Sequence, residues 1–312
     1  MVKLIPVLLT LLLSACGNEN SPAPLVGSGE IETMQISVGE LTFDAYAAGP
    51  QGGEPVILLH GFPESAWEFH RQLSALGLAT YRAVAPNQRG YSPGARPDGV
   101  DAYRMDRLVA DVLGMADALG FERFHLVGHD WGAIVAWSVA AAAPERLLTL
   151  NPISVPHPGA FARVLADRTS CQYEASSYVD FFVTPGVANL FLANQASFFR
   201  GIFAGVPPED VDVHLATLGT PAALDAAINW YRANFNGRDG LRSTAPNTTV
   251  PTMYVWSDGD AALCRDGAEL TGEYVDAPYR FEIIAGASHW VPEVAADQLT
   301  TLLLDHLASA GS

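Results

Sequence analysis

Short apolar runs rich in strand-forming residues alternate along this chain with longer stretches of helical spacing. Residues 56–59 and 124–127 are runs of the first kind, whereas residues 103–119 carry apolar side chains at helical intervals. This alternation is typical of a mostly parallel sheet covered by helices. With 312 residues, 49% of them hydrophobic, the chain can bury one large core. We therefore predict an α/β fold.

The predicted elements divide the chain into two core segments and an insert. The predicted strands are residues 31–38, 41–47, 56–59, 81–86, 124–127, 147–150, 251–256 and 280–284. From about residue 159 to residue 248 the sequence is helical and aromatic, without a clear strand pattern. We predict a core in residues 31–155 and 249–312, with a helical cap in residues 156–248. An insert at this place would lie over the carboxyl ends of the strands, where open sheets bind ligands.

The N-terminus resembles a targeting signal. Lys3 precedes an apolar run, residues 4–13, that is too short to span a bilayer. The run ends in LSAC at residues 13–16, which resembles the bacterial lipobox and implies a lipoprotein signal peptide, residues 1–15, with lipid attached to Cys16. Residues 16–30, rich in Ser, Pro and Gly, are predicted to be a flexible tether. We expect export and anchoring to a bacterial membrane, periplasmic or outer-membrane associated; an ordinary signal peptide is the alternative.

Charge and cysteine content exclude several partners. The formal net charge is -17, so nucleic acid and anionic membrane surfaces are unfavourable partners. The three cysteines show no CxxC or CxxH spacing, so we predict no metal site. If Cys16 carries lipid, Cys171 and Cys264 remain as a pair in an oxidising compartment. The sequence is compatible with a disulfide between them and equally with two buried free thiols.

A short motif follows the predicted strand at residues 124–127. Residues 128–132 are GHDWG, followed by an alanine-rich helical segment. In a G-x-S-x-G turn of this kind, the glycines permit the tight turn that lifts the central side chain above the sheet. The central residue here is Asp130, whose carboxylate is ionised near pH 7 and can attack an electrophilic sp³ carbon. We predict that Asp130 is the nucleophile; a helix N-cap is the alternative and compatible role.

The base and its orienting acid are expected further along the chain. His289 follows the last predicted strand, the place of the base in the order nucleophile, acid, base. The attack by Asp130 on a carbon atom leaves an alkyl ester on its carboxylate. In this scheme His289 activates the water that hydrolyses this ester. The acid is Asp260 or Asp258, and the spacing past the strand at residues 251–256 favours Asp260. Structural or pocket-lining roles are expected for the other histidines that lie near the motifs, His60, His125, His129 and His157.

The turn after the strand at residues 56–59 is the candidate oxyanion hole. Its sequence, HGFPE at residues 60–64, offers the backbone N–H of Phe62. Together with the N–H of Trp131, this donor would hold the oxyanion formed during ester hydrolysis. The alternative is a simple strand-ending turn.

Three motifs together, HGFPE at 60–64, GHDWG at 128–132 and SHW at 288–290, resemble the epoxide hydrolases of the α/β-hydrolase fold. The resemblance covers about residues 31–310 and implies a mostly parallel eight-stranded sheet with a helical cap. Residues 177–182 and 229–232 resemble the cap segments with the two epoxide-binding tyrosines. Carried over, Tyr178 and Tyr231 would donate O–H bonds to the epoxide oxygen and protonate the alkoxide, with Tyr173 as the alternative to Tyr178.

The resemblance implies that a small hydrophobic epoxide and water give a vicinal diol through an alkyl ester on Asp130, with no cofactor. Haloalkane dehalogenases share the aspartate, but where they usually carry asparagine this chain has Phe62. Fluoroacetate dehalogenases need an arginine after the nucleophile, where Trp131 stands. A non-catalytic surface lipoprotein with the same fold is a further alternative.

Overall fold

The structure is a computed structural model that describes residues 26–235, 237, 240 and 245–309. The predicted signal peptide and the lipidation site Cys16 lie outside the described residues. Of the predicted tether, residues 26–30 are described, and the Ser28 N–H donates a hydrogen bond to the Gly77 carbonyl at 3.0 Å. This end of the segment is therefore held against the core rather than free of it. No helix in the described part of the chain is long and apolar enough to cross a membrane.

An eight-stranded sheet runs through the described part of the chain in the order β1-β2-β4-β3-β5-β6-β7-β8. The strands are β1 (Ile31–Val38), β2 (Leu41–Ala48), β3 (Pro55–Leu59), β4 (Arg82–Pro86), β5 (Phe124–His129), β6 (Leu147–Ile153), β7 (Thr252–Ser257) and β8 (Tyr279–Ile284). β2 pairs antiparallel with both β1 and β4, and all other neighbours pair parallel. The predicted mostly parallel sheet and its initial antiparallel pair are confirmed.

Helices cover both faces of the sheet. The α-helices outside the insert are α1 (His70–Leu78), α2 (Met105–Ala118), α3 (Trp131–Ala142), α10 (Arg265–Leu270), α11 (Val291–Val294) and α12 (Ala296–Ser309). Side chains of β3 alternate between two cores, as the period of a strand requires: Ile57 and Leu59 pack on the face with α2 and α3, whereas Val56 and Leu58 pack on the face with α1 and α12.

The insert between β6 and β7 is helical, as predicted. It contains α4 (Pro158–Leu165), α5 (Cys171–Ala175), α6 (Tyr178–Phe182), α7 (Val187–Gly201), α8 (Pro208–Leu218) and α9 (Pro221–Asn234). These helices lie within residues 156–248, whose exact bounds as a cap remain a prediction. Aromatic side chains of the insert, such as Phe191 and Trp230, join the same apolar core as Phe62 and Trp131 at the carboxyl ends of the strands. The cap is therefore packed directly onto the predicted site.

Candidate active site

Asp130 lies in the tight turn between β5 and α3. Its backbone has φ 48° and ψ -117°, a conformation that a non-glycine residue holds only where the surroundings enforce it. The flanking glycines are required by close approach: a Cβ on Gly132 would lie 1.9 Å from the Leu59 carbonyl oxygen, and one on Gly128 would lie 2.3 Å from that of Gly132. The Asp130 side chain makes no capping hydrogen bond to α3, so its carboxylate is used elsewhere.

The two carboxylate oxygens of Asp130 have different neighbours. The Phe62 N–H donates a hydrogen bond to Oδ1 at 2.9 Å. Oδ2 lies 3.5 Å from Nε2 of His289. Trp131 is the first residue of α3, where a helix offers no internal partner for the N–H. The predicted oxyanion donor Phe62 and the predicted base His289 thus contact the predicted nucleophile, Asp130, on different oxygens.

His289 is oriented by Asp260. Its Nδ1–H donates to Oδ2 of Asp260 at 2.8 Å, and the Asp260 side chain is completely buried. The other oxygen, Oδ1, accepts hydrogen bonds from the N–H groups of Ala262 at 2.7 Å and Leu263 at 3.0 Å. Asp258 instead accepts the Gly286 N–H at 2.6 Å on the surface. Of the two acids that the sequence left open, the structure brings Asp260 to the histidine.

The carboxylates around His289 set its protonation. Burial alone would lower the pKa of His289, but the charge of Asp260 and the hydrogen bonds to Asp130 and Asp260 raise that pKa well above its ordinary value. Burial likewise opposes ionisation of Asp130, yet the hydrogen bond and charge of His289 lower the pKa of Asp130. These pKa directions favour an ionised Asp130 beside a protonated His289 in the free protein.

Both predicted tyrosines line one apolar cavity with Asp130 and His289. The cavity has a volume of about 410 Å³, and most of its wall is aromatic or aliphatic. Tyr178 begins α6 and Tyr231 lies near the end of α9, so both phenols come from the cap. The alternative, Tyr173, is not among the described residues that line this cavity.

The environment keeps these phenols protonated. Burial, and next the negative charge of Asp130, raises the pKa of Tyr178 above its ordinary value, and the same two causes raise that of Tyr231. The ring of Trp131 packs edge-on against that of Tyr231, with the ring centroids 4.9 Å apart. Two neutral O–H donors in a dry cavity beside a carboxylate can stabilise an oxyanion that forms there.

A buried polar cluster of Glu64, Glu68 and His129, which the sequence does not predict as functional, lies next to Asp130 and His289. Because the His289 carbonyl only accepts, His129 Nε2–H must donate to it, at 2.9 Å. Nδ1 of His129 lies 3.0 Å from Oε2 of Glu64 and 3.3 Å from Oε2 of Glu68. Burial, and then the proximity of Glu68, raises the pKa of Glu64 well above its usual value, so a neutral Glu64 carboxyl can donate to Nδ1. The signal available in the sequence was Glu64, the last residue of HGFPE.

This group also has the spacing of a metal site. One ligand atom from each of Glu64, Glu68 and His129 lies within 4.8 Å of the others. Burial raises the pKa of Glu68 as well as that of Glu64, so protonation can neutralise the carboxyls inside the protein. The expectation that the chain uses no metal stays a prediction.

The structure also locates the two cysteines and the three other histidines that the sequence singles out. Cys171 in α5 and Cys264 before α10 form a disulfide that joins the cap to the core across 93 positions. His60, His125 and His157 do not line the cavity in the described structure, and each makes hydrogen bonds that suit a structural role.

The fold and this turn define the class. A strand–turn–helix carries Asp130 in an eight-stranded, mostly parallel sheet, and Asp260 and His289 follow later strands. The family described as alpha/beta hydrolase fold matches residues 54–296. The chain belongs to this family.

Two relatives and one solved structure show which kinds of protein within the family this chain is similar to. The AB hydrolase superfamily protein YfhM of Bacillus subtilis (strain 168) is 32% identical over 284 residues, covering 89% of this chain and 98% of the relative. Epoxide hydrolase A of Mycobacterium tuberculosis (strain ATCC 25618 / H37Rv) is 32% identical over 299 residues, covering 83% of this chain and 92% of its own. The crystal structure of epoxide hydrolase A from Mycobacterium thermoresistibile superposes with a TM-score of 0.76 at 26% identity, covering 89% of this chain and 98% of that one.

Proposed function

We propose that the protein hydrolyses a small hydrophobic epoxide to a vicinal diol through an alkyl ester on Asp130. The observation that carries this proposal is the cavity in which Tyr178 and Tyr231 lie with the carboxylate of Asp130 and the imidazole of His289. Relatives named epoxide hydrolases, at 32% identity over most of both chains, support it.

The first step is alkylation of the carboxylate. The Phe62 N–H occupies Oδ1 of Asp130, which leaves Oδ2 to attack an epoxide carbon. A carbon–oxygen bond forms to Oδ2 while the bond between that carbon and the epoxide oxygen breaks. Tyr178 and Tyr231 hydrogen-bond the developing alkoxide, and one of them transfers its proton to it.

The second step is hydrolysis of the ester. His289 removes a proton from water as the water oxygen adds to the ester carbonyl carbon, and Oδ1 becomes the oxyanion next to the Phe62 N–H. The ester bond then breaks, and the water oxygen stays on Asp130. The two protons of the water end on the second hydroxyl of the diol and on the tyrosine that gave up its proton.

Alkylation also prepares the base. The charge of Asp130 is one cause of the raised pKa of His289, and this charge disappears when the ester forms. The pKa of His289 therefore falls in the intermediate, so the imidazole releases its proton to solvent before it acts as a base, and it takes a proton up again once the ester is hydrolysed.

The donors of the site favour an epoxide over an alkyl halide. A departing halide ion needs N–H donors around it, but the side chain of Phe62 has none. Trp131 is not among the described residues that line the cavity. Phenol protons suit an alkoxide, which is a much stronger base than a halide.

Product analysis with a substrate panel tests this function. The panel contains styrene oxide, 1,2-epoxyalkanes and 1-haloalkanes of matched chain length, and the Asp130→Ala variant is the control. We expect diols from one or more epoxides and none from the control. Halide release from haloalkanes without turnover of any epoxide would indicate a dehalogenase, and inertness toward both classes would indicate a binding protein.

We further propose that the protein is exported and anchored to a bacterial membrane by lipid on Cys16. The lipobox-like LSAC at residues 13–16 motivates this proposal, and the disulfide between Cys171 and Cys264 supports an oxidising compartment. In a bacterial host fed radiolabelled palmitate, the protein should carry label and sediment with membranes. Cys16→Ser should remove both properties. Unchanged labelling and sedimentation of this variant would refute the anchor.

A further inference from the structure

Asp260 accepts hydrogen bonds from the short loop in which it lies. This loop runs from Asp260 to Cys264, between β7 and α10. Oδ1 of Asp260 accepts the N–H groups of Ala262 and Leu263, two and three residues later. The position of the acid therefore depends on the backbone conformation of the residues that follow it.

The cap holds that same backbone through a buried side chain. Gln172 of α5 is 1% exposed. Its Nε2 donates to the Ala262 carbonyl at 2.8 Å, and its Oε1 accepts the Cys264 N–H at 2.8 Å. Nε2 also donates to the Ser176 hydroxyl at 3.0 Å, which fixes the amide from the cap side. Two polar groups of the loop are thus satisfied by one cap residue.

A covalent bond lies directly beside these hydrogen bonds. Cys171, the neighbour of Gln172, is joined to Cys264 at the end of the same loop. Cys171 is exposed and Cys264 is partly exposed, so a reductant in solution can reach the disulfide. The disulfide and the amide together form a clamp, which we define as Cys171, Gln172 and Cys264.

We propose that this clamp positions Asp260 from the cap, so that Gln172 is a positioning residue for ester hydrolysis and the disulfide controls that step. The inference rests on the proposed function for its kinetic consequence. Asp260 orients Nδ1 of His289, and His289 acts on water in the second step only. Alkylation by Asp130 should depend on the clamp much less than ester hydrolysis does.

Single-turnover kinetics separate the two steps. The variant is Gln172→Met, which keeps the length of the side chain and removes both hydrogen bonds to the loop; the matched control is Glu174→Ala, an exposed position on the same helix. A misplaced acid should slow ester hydrolysis about tenfold and leave alkylation within about twofold. The ester should then accumulate in the variant and not in the control.

A second measurement does not need a substrate. With ¹⁵N-histidine label in the full-length chain, the Nδ1–H of His289 should give a downfield proton resonance because it donates to Asp260. Gln172→Met should move this resonance upfield. Reduction of the wild-type disulfide should do the same, and the double variant Cys171→Ser/Cys264→Ser should no longer respond to reductant.

The outcomes distinguish the clamp from the function. If the wild type opens no epoxide but the resonance responds to Gln172→Met and to reduction, the proposed function fails and the clamp stands. If hydrolysis and the resonance of Gln172→Met match those of Glu174→Ala, the clamp is refuted. An equal slowing of both steps would also refute it, because that result indicates a general loss of structure. If Gln172→Met does not fold, the test rests on reduction of the wild-type disulfide. An unchanged His289 resonance after reduction would then refute the clamp.

Discussion

Replacement of Tyr231 by phenylalanine tests the role of the cap phenols most sharply. The ring of Tyr231 packs against Phe62, Trp131 and Phe182 at centroid distances of 5.3, 4.9 and 5.2 Å. Phenylalanine keeps these contacts and removes only the hydroxyl. The perturbation is therefore confined to the hydrogen bond that the phenol would give to the opening epoxide.

The expected magnitude follows from the charge that develops on the epoxide oxygen. A hydrogen bond to a charged group contributes about 1.5–3 kcal/mol. Since about 1.4 kcal/mol corresponds to a tenfold change in rate, loss of the phenol should slow alkylation about 10–150-fold. Tyr178, the second donor in the cavity, should prevent a complete loss.

The assay is the rate of ester formation in single turnover, measured by rapid quench and intact-protein mass. Tyr103→Phe is the matched control, because Tyr103 is also buried but donates its O–H to the Pro97 carbonyl outside the cavity. Alkylation should slow in Tyr231→Phe alone, and ester hydrolysis should change little. Alkylation by Tyr231→Phe within twofold of the wild type would refute the assigned role of the phenol.

Two further predictions concern pH and the disulfide. The charge of Asp130 raises the pKa of His289, and this charge is lost in the ester. Ester hydrolysis should therefore accelerate with rising pH through a pKa lower than the one that NMR titration gives for His289 in the free protein. Equal pKa values in the two measurements would contradict this coupling. Reduction of the Cys171–Cys264 disulfide releases a loop closed across 93 positions, which by chain entropy removes about 3–5 kcal/mol of stability. At roughly 2 °C per kcal/mol for a chain of this size, Tm should fall by about 5–10 °C. The control is the double variant Cys171→Ser/Cys264→Ser, and if reductant lowers its Tm by the same amount, the disulfide is not the cause.

The parts of the site that could be predicted are those in which local sequence determines local geometry. The turn around Asp130 needs glycines that are visible in GHDWG, and the position of His289 follows from the order of the strands. Spacing alone favours Asp260 over Asp258. The contact that separates them, between Asp258 and the Gly286 N–H, joins residues 28 positions apart and has no sequence pattern.

The parts that could not be predicted depend on contacts between distant segments. Nε2 of His214 in the cap lies 2.9 Å from Oε1 of Glu293, and Nδ1 of His214 contacts the Ser65 hydroxyl at 2.9 Å, across 149 positions. All of these side chains are buried. Polar residues in such positions look in the sequence like ordinary surface residues of helices. Gln172 is a similar case, since the role that we propose for it depends on a hydrogen bond to a loop 90 positions away.

The proposed ester on Asp130 can be observed directly. His289→Gln should remove the base and preserve the nucleophile, so the variant should react once with an epoxide that the wild type turns over. The account predicts a gain in intact-protein mass equal to one epoxide, located by peptide mapping to the peptide that contains Asp130, and no gain when Asp130→Ala is added. Full turnover by Asp130→Ala, or a trapped product located on a residue other than Asp130, would contradict the central claim.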